Sequence, residues 1–361
     1  MEQIYALGIT CIEFVQEWFS GSEWYFEIVN NLSNPHHLTE ILFPLITVVD
    51  SVFGAQLLLC MAFGGWLTSL LKWCLQEDRP YWWVRETSYY NTLDRPELRQ
   101  TLQTCETGPG SPSGHSGAAA TIILLILMWT KHVMHDRQCY VFWWKYVMYP
   151  MSVFAMGSVV LSRMYIATHF PHQCLIGALL GSFLAPALCI YLSDPFVWRY
   201  GAHAKMNPRK VMSWHVLGSA ATVIISVLAY FSLVLAGQDP QWTVRMAFRH
   251  CESPEQIHVS TTPVFSLVQC TGSLLGLALC VTPAIAEYRH YTKNRSLIMS
   301  AIATALTVFT FRYTLDNICK TNTFRFYATH FVASALKPMM LLRVVPAFAM
   351  WPFTAPKNKT E

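Results

Sequence analysis

The chain has 361 residues, of which 53% are hydrophobic and only 13% are charged, and its formal net charge is +4. Soluble domains carry about 25% charged residues, so this composition disfavours a water-soluble protein. The net charge says little about nucleic-acid binding, because the Lys and Arg residues are dispersed over short loops, and we expect no nucleic-acid partner.

Runs of residues with little or no charge, each long enough to cross a bilayer (roughly 17–25 residues), recur about nine times. They lie near residues 38–56, 55–75, 116–134, 146–162, 173–193, 212–236, 264–286, 296–312 and 324–350. The first two are continuous, and the last is interrupted by Lys337 and Arg343. Runs such as TIILLILMW are apolar on every side, whereas helices of a soluble protein are amphipathic. We therefore predict an all-α, polytopic membrane helix bundle with about nine transmembrane helices, forming one domain over residues 1–361.

The two ends of the chain are predicted to lie outside the spans. The first residues lack a basic segment and include Glu2, Glu13 and Glu17, so we do not expect them to form a signal peptide. We expect a short surface helix over about residues 1–20. The last residues, about 351–361, are expected to form a cytosolic tail.

The distribution of basic residues predicts the orientation in the membrane. Most Lys and Arg residues fall in the loops around 131–145, 194–210 and 287–295 and in the tail, which the positive-inside rule assigns to the cytoplasm. Segments 76–115, 163–172 and 237–263 then lie on the opposite side. Cys105 and Cys251 fall there, where oxidation is permitted, although the sequence alone does not pair them.

Three clusters of basic and polar residues lie at that opposite side, each at the end of a predicted span. They contain Lys72 and Arg79, then residues 113–115 (Ser-Gly-His), then Arg163 and His169. Charged groups so close to a bilayer are costly and usually functional. Together, three cations and two imidazoles predict an anion site.

A phosphate group matches this chemistry. Arg79 and Arg163 offer planar guanidinium groups that each bind two oxygens, and Lys72 adds a compact charge. Ser113 is a candidate N-cap, and the free amide of Gly114 lies at a helix N-terminus, which binds anions.

The two histidines, His115 and His169, could supply the reaction. One imidazole can attack phosphorus and form a phosphohistidine, while the other protonates the departing alkoxide. The fixed cations would balance the charge of the transition state. We therefore expect neither a metal ion nor a cofactor.

These residues form a pattern that resembles the type 2 phosphatidic acid phosphatase and vanadium haloperoxidase superfamily. The pattern is Lys72-x6-Arg79-Pro80, then Pro112-Ser113-Gly114-His115, then Ser162-Arg163-x5-His169. The segments FGGWLTSLLKW, RPYWWV, CETGPGSPSGH, SRMYIATHFPHQ and IHVSTTP are similar to the glucose-6-phosphatase catalytic subunits over nearly the whole chain.

The resemblance implies a nine-helix enzyme of the endoplasmic reticulum membrane, with its active site facing the lumen. It implies that His169 is the nucleophile and His115 the general acid. It implies that the phosphate is held by Lys72, Arg79, Ser113, Gly114 and Arg163. The positions of Lys357 and Lys359 fit a KxKxx retrieval signal.

The sequence leaves open which group orients the nucleophile and which histidine is the nucleophile. The wider superfamily has Asp four residues after the nucleophile, but here that residue is Gln173, so the group that orients the imidazole is not identified. His172 is a rival nucleophile, although the Arg-x5-His spacing favours His169.

The function expected from the resemblance is hydrolysis of glucose 6-phosphate, with functional coupling to a glucose 6-phosphate transporter because the substrate carries charge. The motifs alone also allow a lipid phosphate phosphatase, or a weakly active paralogue that acts on another sugar phosphate. A transporter or structural protein is a further alternative, but no inverted repeat is apparent in the sequence.

Overall fold

The computed structural model describes residues 1–134, 140–198, 208–281, 296–318 and 321–354. Regular structure within these residues is helical, and the β-type pairing described is a single isolated bridge between Glu106 and His258. The predicted all-α class is therefore confirmed. The helices are α1 Glu2–Trp18, α2 Glu23–Ser33, α3 Pro35–His37, α4 Phe43–Val49, α5 Ser51–Leu75, α6 Pro80–Glu86, α7 Gly114–Met134, α8 Tyr140–Trp143, α9 Tyr149–Tyr165, α10 Pro171–Leu188, α11 Pro208–Leu235, α12 Trp242–His250, α13 Pro263–Cys280, α14 Leu297–Asp316, α15 Thr323–Met339 and α16 Val345–Thr354.

Seven helical stretches within the described residues are long and apolar enough to cross a membrane. They are Ser51–Glu86, Val141–Tyr165, Pro171–Ser193, Arg209–Leu235, Pro263–Cys280, Leu297–Asp316 and Thr323–Met350. Each coincides with one of the predicted spans. In α11, large apolar side chains such as Leu217, Leu228 and Phe231 are exposed on the protein surface, as expected for a helix in contact with lipid. The chain is a multi-pass membrane protein.

Two of the nine predicted spans are not among these seven stretches, so the predicted number of nine is approximate. The stretch 116–134 lies within α7, which has 21 residues. The stretch 38–56 is interrupted at Asp50, whose Oδ1 accepts hydrogen bonds from the backbone N–H groups of Val52 and Phe53, both at 3.0 Å. This carboxylate satisfies free amides at the start of α5, so the stretch is not one continuous helix.

The chain divides into two compact units. The first comprises Met1–His37, Gly64–Pro186 and Ile225–Leu267, and the second comprises Leu38–Phe63, Ala187–Ile224 and Val268–Glu361. Every site residue predicted from the sequence lies in the first unit. The expectation of one membrane domain over residues 1–361 stays a prediction.

The first unit has an aromatic core that fixes the ends of several helices. Tyr5 of α1 stacks on Phe170, with ring centroids 4.6 Å apart, and Phe26 of α2 stacks on Tyr165 of α9, at 4.4 Å. Trp82 of α6 is fully buried in the same core. Helix α1 occupies the expected N-terminal segment, and one of its faces is buried here. This packing holds the segment after α9, which carries His169, in place.

The second unit contains the charge that interrupts the last predicted span. The Nζ atom of Lys337 lies 3.5 Å from Oε1 of Glu40, and both side chains are largely buried. A paired charge is less costly than an isolated one inside a membrane protein, so this pair explains how α15 tolerates a lysine.

Several residues on which the orientation was predicted lie outside the described part of the chain. These include Lys357 and Lys359 of the tail, and segments 135–139, 199–207 and 282–295 of the basic loops. The orientation and the retrieval signal therefore stay predictions.

Candidate active site

Arg79 connects two of the three predicted clusters. It lies directly before α6, and its side chain is fully buried. Its Nε donates to the carbonyl of Gly108 at 2.6 Å, and Nη2 donates to the carbonyl of Pro109 at 3.2 Å. Nη1 donates to the carbonyl of Thr168 at 3.2 Å. One guanidinium group therefore fixes the position of the glycine-rich turn relative to the loop after α9.

The other two predicted cations reach the same place. Lys72, in the last turn of α5, donates to the carbonyl of Pro109. Arg163, in the last turn of α9, is fully buried and donates to Oδ1 of Asn30 and to Oε1 of Glu106. We call Lys72, Arg79 and Arg163 the cation cluster.

Glu106 lies within the cation cluster and was not predicted as a site residue. Its Oε2 lies 2.9 Å from Nη1 of Arg79, and its Oε1 accepts from Arg163. The Nδ1 of His115 lies 3.7 Å from Oε1, and the Nε2 of His169 lies 3.8 Å from Oε2. One carboxylate thus faces both guanidinium groups and both imidazoles.

The charges around Glu106 explain its ionisation. Burial raises the pKa of this carboxyl, but the guanidinium groups of Arg163 and Arg79 outweigh burial and hold the pKa well below its ordinary range. Glu106 is therefore an anion at neutral pH. The sequence held one signal, because Glu106 is the only acidic residue between Glu97 and Asp136.

The turn at residues 108–114, which we call the glycine turn, is packed closely against its surroundings. A Cβ atom added at Gly108 would lie 2.7 Å from the carbonyl oxygen of Thr261, and one at Gly110 would lie 2.5 Å from Nε2 of Gln173. Ser113 lies in the turn directly before α7, and its Oγ accepts from the N–H of Ser116 at 3.4 Å. Glycine is needed in the turn because side chains would overlap their neighbours.

His169 lies in the loop between α9 and α10 and is fully buried. Its Nε2 is 3.3 Å from Nη1 of Arg79, and its Nδ1 is 3.3 Å from Oε1 of Gln173. Burial, followed by the positive charges of Arg79 and Arg163, lowers the pKa of His169 well below its ordinary value. The imidazole is therefore neutral at neutral pH.

The hydrogen bonds of Gln173 define which atom of its amide faces His169. The backbone N–H of Phe170 can only donate, and it meets Oε1 at 3.2 Å. The carbonyl of Asp78 can only accept, and it meets Nε2 at 2.8 Å. The atom facing Nδ1 of His169 is thus an oxygen, so Nδ1 carries the proton and Nε2 keeps its lone pair. Gln173 is the orienting acceptor that the sequence left unidentified.

The rival nucleophile His172 faces another group. Its Nε2 lies 3.0 Å from Oε2 of Glu77, and its side chain is 23% exposed. The Nε2 of His169 faces Arg79 and Glu106 instead. This geometry favours His169 over His172 as the group that attacks a bound anion.

A disulfide lies beside the site. Cys105, which precedes Glu106, is bonded to Cys251. The Oγ1 of Thr107 donates to the carbonyl of His258 at 2.9 Å on the other side of Glu106. These two links fix the backbone that carries Glu106. The sequence had placed both cysteines on one side of the membrane without pairing them.

The residues predicted for the site are therefore brought together. Glu106 is surrounded by Arg79, Arg163, His115 and His169, and the glycine turn accepts a hydrogen bond from Lys72. Ser113 and Gly114 lie at the start of α7. Such an arrangement can bind a tetrahedral oxyanion and offers one unprotonated imidazole nitrogen for attack.

Comparisons with known proteins agree with this chemistry. Residues 53–196 match the PAP2 superfamily, and this range contains every predicted site residue. The chain is 30% identical over 355 residues to glucose-6-phosphatase catalytic subunit 1 of Mus musculus, covering 96% of this chain and 95% of that protein. It is 29% identical over 370 residues to the same subunit of Bos taurus, covering 100% and 99%. It is 28% identical over 358 residues to glucose-6-phosphatase 2 of Homo sapiens, covering 96% of each. No solved structure gives a significant match.

Proposed function

We propose that this chain, which belongs to the glucose-6-phosphatase catalytic subunit family within the PAP2 superfamily, hydrolyses glucose 6-phosphate to glucose and phosphate. The family makes it a phosphoric monoester hydrolase. The observation that carries the proposal is the convergence of two guanidinium groups and two imidazoles on the one carboxylate of Glu106. The same N–H groups can bind the oxygens of a phosphate monoester.

In the first step, Nε2 of His169 attacks the phosphorus atom and the bond to the sugar oxygen breaks. His115, which takes up a proton when the anionic substrate binds beside it, donates that proton to the departing oxygen, which leaves as the glucose hydroxyl group. The product on the enzyme is a phosphohistidine. The Gln173 amide oxygen accepts from Nδ1 of His169 and stabilises the positive charge that develops on the ring.

In the second step, His115 accepts a proton from water, and the resulting hydroxide attacks phosphorus. The bond between phosphorus and Nε2 breaks, which releases phosphate and restores neutral His169. Arg79, Arg163 and Lys72 balance the charge on the phosphoryl oxygens in both steps. A bound phosphoryl group exchanges with the Glu106 carboxylate for the same guanidinium N–H groups.

We place the site on the lumenal side of the endoplasmic reticulum membrane. The basic loops predict this orientation, and the disulfide between Cys105 and Cys251 is typical of an oxidising compartment. Lys357 and Lys359 then serve as a cytosolic retrieval signal. A charged sugar phosphate needs a separate transporter to reach the lumen, so the enzyme is functionally coupled to one.

Phosphate release from a panel of sugar and lipid phosphates tests the proposal. We expect glucose 6-phosphate to be the preferred substrate in detergent-opened vesicles, with lower activity in sealed vesicles that lack a transporter. His169→Ala should abolish release, whereas Cys74→Ala, at an exposed free cysteine, should not. Preference for phosphatidate would indicate a lipid phosphatase, and preference for another sugar phosphate would indicate a divergent paralogue.

A further inference from the structure

Glu77 links two side chains of α10 to the loop before α6. Its Oε2 accepts a hydrogen bond from Nε2 of Gln173 at 3.0 Å and lies 3.0 Å from Nε2 of His172. Its backbone carbonyl accepts from the N–H of Gly110 at 2.8 Å. The side chain is only 12% exposed. Glu77 was not identified as a site residue from the sequence.

Through Gln173, Glu77 is connected to the nucleophile. Oε1 of Gln173 accepts from Nδ1 of His169 at 3.3 Å, while Nε2 of the same amide donates to Glu77. A hydrogen bond to a carboxylate is stronger than one to a neutral acceptor. It also polarises the donor group, so the far end of the amide becomes a better acceptor.

We propose that Glu77 is a positioning residue for His169, and that its carboxylate fixes and polarises the Gln173 amide that orients the nucleophile. An Asp at position 173 would place its negative charge directly beside the His169 imidazole. In this chain Glu77 supplies a negative charge one hydrogen bond further away, beyond the Gln173 amide. His172 holds the Glu77 carboxylate from the other side. The inference rests on the proposed phosphatase reaction.

The side chains that pack around Glu77 hold its carboxylate beside the Gln173 amide. The ring of His172 packs beside the stacked pair of Tyr5 and Phe170, and its centroid lies 5.7 Å from the centroid of each ring. Burial, followed by the charges of Glu77 and Asp78, raises the pKa of Tyr5 well above its ordinary range, so this phenol stays neutral. The Nε2 of His172 lies 3.0 Å from the Glu77 carboxylate, and Asp78 is an acid next to Glu77 in the chain.

Glu77→Gln tests the inference because it removes the charge and keeps the shape of the side chain. We expect kcat to fall ~10-fold, equivalent to about 1.4 kcal/mol, with KM changed less than ~2-fold because the cation cluster is untouched. Removing an anion also disfavours the imidazolium form of His169, which is surrounded by Arg79, Arg163, Lys72 and Glu106. The acid limb of kcat against pH should therefore move to lower pH.

Glu77→Asp and Glu86→Gln are the matched variants. Asp keeps the charge, so its kcat should lie above that of Glu77→Gln. Glu86 forms a similar pair with His250, whose Nε2 lies 2.7 Å from Oε1, but the Glu86 side chain is 40% exposed, and the partners described for it are His250 and Arg249. Its removal should leave kcat and the pH profile unchanged.

The outcomes separate this inference from the function on which it rests. If the unmodified enzyme releases no phosphate from any sugar or lipid phosphate, the proposed function fails. If the unmodified enzyme is active and Glu77→Gln matches its kcat, or if Glu77→Asp is no better than Glu77→Gln, the positioning role is wrong. A rise in KM alone would also overturn it, since Glu77 would then act in substrate binding.

Discussion

Glu106 and Arg79 form a buried ion pair in which Oε2 lies 2.9 Å from Nη1. The same carboxylate accepts from Arg163. Because these guanidinium groups are the expected phosphate ligands, Glu106 and the phosphate compete for the same donors. We therefore expect the ionised carboxylate to lower the affinity of the site for anions.

Replacing Glu106 with Gln should strengthen anion binding. We expect orthovanadate, a phosphate analogue, to half-inhibit the variant at a concentration ~10-fold lower than for the unmodified enzyme. This corresponds to about 1.4 kcal/mol of added affinity. The variant should also unfold at lower temperature without vanadate, because two buried cations lose their partner. Inhibition titrations and thermal unfolding of the detergent-solubilised protein check both effects. Unchanged or weaker inhibition would show that Glu106 does not compete with the anion.

The lowered pKa of His169 predicts activity at mildly acidic pH. In the proposed mechanism the neutral imidazole of His169 is the nucleophile, and burial with the nearby guanidinium groups keeps it neutral below the ordinary histidine value of about 6.5. Activity is therefore retained as pH falls through 6.5 and is lost only when pH falls through the lowered pKa. The test is kcat/KM against pH, divided by the dianionic fraction of the substrate. An acid limb centred at or above about 6.5 would contradict this assignment.

Arg79→Lys should impair the enzyme although the charge is kept. The guanidinium group donates to three backbone carbonyls, and a single ammonium group cannot reproduce that planar arrangement. We expect kcat/KM to fall by at least ~30-fold, about 2 kcal/mol. Arg85→Lys is the control, because Arg85 also donates to a backbone carbonyl but at the surface. Equal losses in both variants would mean that the effect is not specific to the site.

Gly110→Ala should disrupt the glycine turn. The added Cβ would overlap the carbonyl oxygen of Asp78 and lie 2.5 Å from Nε2 of Gln173, so the amide that faces His169 would have to move. We expect a large loss of kcat, read out by phosphate release. Gly157→Ala in α9 is the matched control, because its Cβ would meet no atom within 4 Å. An active Gly110→Ala enzyme would show that the turn can adjust.

Much of the fold could be predicted from the sequence because the bilayer imposes a simple pattern. A long apolar run has to form a helix in lipid, and seven of the predicted runs coincide with such helices. The interruption at Asp50 was missed because a capping carboxylate inside an apolar run depends on local geometry. The aromatic core around Tyr5 and Phe170 joins residues far apart in sequence, and a pattern along the chain does not report such contacts.

The candidate site was predictable where its residues form a spaced motif and unpredictable where they act through contacts. Lys72, Arg79, Arg163 and the two catalytic candidates His115 and His169 belong to ordered motifs. Asn30, which binds Arg163, and Glu77, which binds Gln173, lie on separate segments with no motif of their own. Their contribution depends on tertiary packing, which only the structure provides.

The proposed reaction depends on one step, the transfer of the phosphoryl group to Nε2 of His169. Rapid quenching of the enzyme with glucose [³²P]6-phosphate, followed by peptide mapping under alkaline conditions that preserve phosphohistidine, measures this most directly. We expect label on the peptide at His169, lost in His169→Ala and retained at His169 in His172→Gln. Label on His172, or turnover of the His169→Ala enzyme at the rate of the unmodified enzyme, would contradict it.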